Sequence, residues 1–275
     1  MLSKLPHTKH FLLVVTPLVA SFSVASSASL AATLAFSESR FELKDFSHTP
    51  LDTATLTDTQ TLAISTSGDV TAFANAEALF IPDETKAENF SLSTAQGEGV
   101  EYLGVAESLA AVIGYDFQVN PGEFSFNFRG ALNLGTAIEN EKSESANAYG
   151  NILFQLVNSV TGEVIDYFAL YGGLNTPGEG DYLDYEYSGN ITFTEEPDLT
   201  TDFNSNTEFA IASVKGTYSR TFDSLTYLTL LEVKNNEVAV KAPEPSATLA
   251  LLFFSILAIS YGAKNKLTNS KTKIN

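Results

Sequence analysis

Residues 123–129, EFSFNFR, set Phe124, Phe126 and Phe128 on one side and Ser125, Asn127 and Arg129 on the other, the two-residue period of a half-buried β-strand. Pro121-Gly122 ahead of them is a turn signal, and residues 112–119, VIGYDFQV, read as the strand before it, so the pattern predicts a hairpin. A second hairpin is predicted where the apolar segments 152–157 and 164–171 flank the turn-forming residues from Asn158 to Gly162. Further strands are expected around Ile191 and Phe193, over 207–222 and over 225–233, after which Lys234-Asn235-Asn236-Glu237 turns into VAVKAP. Upstream, LDTATLTDTQTLAIST and GDVTAFANAEALFI alternate Thr with apolar residues and read as two strands. Residues 99–114 fit either a short helix through 106–111 or a strand, and the polar residues 140–147, NEKSESAN, read as a loop. With many short strands, no βαβ alternation and no repeat of fixed period, the expected fold is an all-β, antiparallel β-sandwich or jelly-roll-like domain.

The two ends follow a different pattern. Lys4 and Lys9, an apolar core over 11–24 and small residues at Ala28 or Ala31 mark residues 1–31 as a secretory signal peptide. Near the other end, residues 246–263 carry no charge and would span about 27 Å as a helix, enough for the hydrocarbon core of a bilayer. Pro243 and Pro245 cannot lie inside that helix and mark its outer start. Lys264, Lys266, Lys271 and Lys273 follow in a basic tail over 264–273 with no acidic residue, which holds this end in the cytoplasm. The β-rich domain, residues 32–241, is therefore expected outside the cytoplasm.

Pro243-Glu244-Pro245, the apolar helix and the basic tail, behind a signal peptide, resemble the PEP-CTERM sorting signal of bacteria over residues 242–275. The resemblance implies recognition and trimming by an exosortase, after signal peptidase has acted at the other end. It also implies delivery to the cell surface or into an extracellular matrix of exopolysaccharide. The tail here carries spread lysines where the family commonly has a tight arginine cluster.

Composition narrows the chemistry. The chain has 275 residues, 20 Phe, 11 Tyr and no Cys, which excludes thiol catalysis, thiolate metal sites and a disulfide framework. Its formal net charge is −18, and between the lysine-bearing ends lie nine Lys or Arg and all 33 Asp or Glu, a local balance of −24. A field of that sign repels phosphate backbones, so nucleic acid is not an expected partner. His48 is the only histidine outside the signal peptide, and neither a P-loop nor a dinucleotide glycine fingerprint occurs. Residues 175–190, NTPGEGDYLDYEYSGN, concentrate Glu179, Asp181, Asp184 and Glu186 around Gly178 and Gly180, oxygen ligands that a Ca²⁺ ion could use. The same residues also fit a solvated loop and strand edge without EF-hand spacing. The expectation is thus a non-enzymatic exported protein of structural or adhesive role without a cofactor. The alternative is a carbohydrate-binding module or polysaccharide-active enzyme working through carboxylates and tyrosines such as Tyr185 and Tyr187.

Overall fold

Strand β4 (Gly122–Ala137) buries Phe124, Phe126 and Phe128 and turns Ser125, Asn127 and Arg129 away, and β10 (Thr207–Phe222) keeps the same alternation over the expected length. The computed structural model describes residues 32–242. The expected signal peptide, the motif at 243–245, the expected helix over 246–263 and the basic tail lie outside the described residues. Besides β4 and β10, the chain forms β1 (Ala32–Lys44), β2 (Asp52–Ile81), β3 (Lys86–Val119), β5 (Ser145–Asn158) and β6 (Val164–Thr176). It continues with β7 (Tyr182–Tyr187), β8 (Ile191–Phe193), β9 (Asp198–Asp202) and β11 (Thr226–Ala242). One 3-10 turn, Pro82–Glu84, joins β2 to β3, and the described residues contain no α-helix. The domain is all-β and antiparallel throughout.

Strand β3 organises the sheet. One of its edges pairs with β2 along nearly its whole length, while the other pairs first with β1 and then with β11. The change of partner falls where Gly99 and Glu101 take φ of 90° and 57° and Gly68 of β2 takes 144°, left-handed backbone that glycine enters without penalty. From β3 the sheet runs one way through β1, β4 and β10 to β8, with β9 also on β10, and the other way through β11, β5 and β6 to β7. The two runs meet face to face. Phe41 of β1 lies 6.0 Å from Phe154 of β5 and 6.1 Å from Phe168 of β6, and Phe128 of β4 lies 5.5 Å from Phe168. Rings at these separations add packing energy to the area they bury, about 0.5–1.5 kcal/mol per pair.

Several expectations change. Residues 99–114 belong to β3: Ala106, Ser108, Ala110 and Val112 face the core while β2 and β11 satisfy the backbone on both edges, so the helical alternative falls. Residues 112–119 and 123–129 are strands joined by a tight turn, yet they do not form a hairpin. The first pairs with β2 and β11, the second with β1 and β10, and Phe117 meets Phe124 across the core at 5.1 Å. The expected turn at 234–237 is absent, because β11 runs straight through with Lys234 and Asn236 fully buried. Residues 52–81 give one 30-residue strand where two were expected, and residues 145–147 of the expected loop open β5. The hairpin of β5 and β6 forms as expected. Gly162 closes its turn at φ 73°, and the Asn158 side-chain oxygen accepts from the N–H groups of Val160 and Thr161.

Candidate functional site

The acidic segment after β6 is built by local bonds. Asn175 N–H donates to Asp181 Oδ1 at 2.8 Å, and a Cβ on Gly178 would stand 2.4 Å from the Asn175 amide, so a glycine is required there. Glu179 is exposed in this turn. Asp184 and Glu186 lie exposed on β7 and alternate with half-buried Leu183 and Tyr185, as the wet side of a strand does. Asp181 points elsewhere: burial pushes its carboxyl up, neighbouring Glu208 adds to this against the bond from Asn175, and its Oδ2 is buried without a partner. Among the described residues no group of three or more His, Asp or Glu side chains is arranged to hold a metal ion. Glu179, Asp181, Asp184 and Glu186 are therefore close in sequence without forming a shared ligand set.

Tyr185 and Tyr187 sit on the inner side of β7. Their rings stack at 6.0 Å and both meet Phe193 of β8 edge-on, at 5.6 and 5.0 Å. They close the gap between β7 and β8, although Tyr187 remains 45% exposed.

The opposite, outer side of β5, β6 and β7 carries a second tyrosine group that sequence reasoning missed. Register aligns Tyr149 of β5, Gly173 of β6 and Tyr182 of β7 across three neighbouring strands. A Cβ on Gly173 would stand 2.7 Å from Tyr182 Cε1 and 2.8 Å from Tyr149 Cδ1, so both rings lie over this bare stretch of backbone. Tyr149 and Tyr182 are 40% and 43% exposed. Tyr171 lies 6.1 Å from Tyr182, and its hydroxyl donates to Glu186 Oε1 at 3.0 Å. The next row of the register aligns Asn235, Asn151, Tyr171 and Asp184, and Asn235 Oδ1 is buried with no hydrogen-bond partner. Glu237 stands beside Tyr149 on β11, its carboxyl pushed up by burial and then by Glu107. The Tyr149 phenol is pushed up by burial and further by Tyr182, Glu237 and Asp181. The signal that points here is the pair Gly172-Gly173 inside a strand, which marks close approach of other groups to the backbone.

One titratable pair is sealed inside. Lys234 and Glu232 pair at 3.0 Å with side chains 0% and 1% exposed, and Asn89 also donates to Glu232. Burial lowers the Lys234 ammonium to about 8 against the opposing pull of Glu232, and raises the Glu232 carboxyl against the pull of Lys234 and Asn89. Asn236 continues the network, donating to the carbonyls of Ser37 and Ser91 and accepting from Ser39. The network joins β1, β3 and β11, leaves Asn89 Oδ1 buried without a partner, and does not reach a solvent-facing surface. His48 lies in the loop after β1, its Nδ1 2.9 Å from the Ser47 hydroxyl and its ring 6.0 Å from Phe124.

Comparison of the chain with protein-family models, with curated proteins and with solved structures finds no match in any of the three.

Proposed function

We propose that this chain is an exported, non-enzymatic protein of the bacterial cell surface or extracellular matrix. In this reading its signal peptide is removed and its C-terminal segment is recognised at Pro243-Glu244-Pro245 by an exosortase. The observation that carries the proposal is the order along the sequence: a lysine-led apolar segment within residues 1–31, a strand-rich domain, then Pro243-Glu244-Pro245 followed by an uncharged run and four lysines. A matrix role also suits a chain without cysteine whose stability rests on aromatic packing and needs no redox partner outside the cell.

Changing Pro243, Glu244 and Pro245 together to Ala in the producing bacterium tests the sorting step. The expected result is that the variant keeps its apolar tail and stays in the membrane fraction, while the unaltered protein reaches the surface or matrix. Equal distribution and equal mass of the two proteins would reject it. The outer tyrosine group favours a role in contacting glycan over a purely structural one.

A further inference from the structure

We infer that the outer side of β5, β6 and β7 around Gly173 binds a polysaccharide that carries free amino groups, its sugar units lying on the rings of Tyr149 and Tyr182. The inference rests on the matrix reading only for where such a polymer would be met.

The surface is ready-made for an extended, ring-bearing ligand. The backbones of Tyr149 and Tyr182 stand two strand spacings apart, about 10 Å, and their rings lean towards each other over a glycine that adds no side chain between them. Strand β5 is paired on both edges, by β11 and β6, and β7 on its β6 edge, so the backbone carrying the two rings is ordered before binding. Tyr171 extends the aromatic line along the strands, and its bond to Glu186 holds the phenol in place. An aromatic face receives the C–H face of a sugar and equally attracts a cation, and the carboxylates around it decide which sugars are favoured.

Those carboxylates select for positive charge. Asp184 pairs in register with Tyr171, and Glu237 with Tyr149. From Tyr167 to Gly173 on β6 and at their outward cross-strand partners on β5, β7 and β11, no Lys or Arg occurs. A polyuronate or sulfated polymer would meet only repulsion there, and a protonated amino sugar would be drawn in. The exposed amide of Asn151 offers hydrogen bonds to hydroxyls or ammonium groups. Tyr185 and Tyr187 do not share this arrangement, because their rings are engaged with Phe193.

The test uses protein recovered from the producing cells. Its binding to partly deacetylated polyglucosamine, to the fully acetylated polymer and to a polyuronate is measured by depletion and by titration calorimetry. A Tyr149→Ala, Tyr182→Ala variant leaves the net charge unchanged, and its melting temperature verifies folding. Binding to the deacetylated polymer is expected to be strongest, to weaken with salt, and to fall by about tenfold or more in the variant. An Asp184→Asn, Glu237→Gln variant is expected to lose the preference for the deacetylated polymer. Equal binding by the tyrosine variant would reduce the effect to bulk charge and overturn the inference. Absence of binding, preference for the polyuronate, or self-association through this face that the tyrosine variant abolishes would overturn it too. Sorting and binding fail separately: an exported protein that ignores glycans refutes only this inference, and a glycan binder found unprocessed in the cytosol refutes only the export reading.

Discussion

Asp166 is 3% exposed near the start of β6, where Tyr218 donates to it at 2.7 Å, Arg220 at 3.0 Å and Asn190 at 3.0 Å. Burial pushes its carboxyl up, but the bonds from Asn190, Ser188, Tyr218 and Arg220 together hold it below its ordinary value of 3.8. A carboxyl lowered by folding adds stability that is fully present above the unfolded-state value and is lost as pH falls through the folded-state value. The Asp166→Asn variant is therefore expected to lose about 1.5–3 kcal/mol at neutral pH and to show a flatter decline in stability below about pH 4. Urea unfolding across pH measures both, and an unchanged acid limb would refute the assignment. Residues of this kind are hard to read from sequence, since an acid that is solvated and an acid that is saturated with donors look alike. Lys234-Asn235-Asn236-Glu237 has turn composition, yet Lys234 and Asn236 are buried because Glu232, Ser37 and Ser91 meet their hydrogen-bonding needs.

Strand existence was more legible than strand partnership. Alternation placed β4 and β10 and the side each turns to the core, because period two is a property of one strand alone. It could not assign partners to residues 112–119 and 123–129, since pairing depends on where β1, β2, β10 and β11 arrive. The crossing of the long strands was likewise hidden, and Gly97 of β3 exposes its logic. A Cβ there would stand 2.0 Å from Tyr102 Cε2, and Tyr102 is fully buried with its hydroxyl donating to Thr33 at 2.6 Å, so the ring cannot retreat. Gly97→Ala is expected to cost about 1–3 kcal/mol, lowering the melting temperature by about 2–4 °C per kcal/mol. The cost should largely vanish when the substitution is made in a Tyr102→Ala background. Additive losses in that double-mutant cycle would show that the ring is not what excludes the side chain. The same limit applies to the outer tyrosines. Tyr149, Tyr171 and Tyr182 lie on three different strands, and only register brings them around Gly173.

At the scale of the molecule, an aromatic core carries the fold and the surface carries the charge. A balance of −24 between the lysine-bearing ends repels anionic polymers, while in the proposed reading the ends supply the address. The aromatic core and the acidic balance were legible in the sequence because they depend on local composition and on period-two alternation. The surface that would meet a matrix polymer was not, because it depends on three-dimensional pairing. The account stands on the chain leaving the cytoplasm and shedding both ends around an intact sheet. The direct measurement is the intact mass of the native protein recovered from the surface or matrix fraction of its own cells. The expected mass lacks the residues up to about Ala31 and the apolar segment beyond Pro245. Recovery of the full 29.6 kDa chain freely dissolved in the cytosol would contradict it.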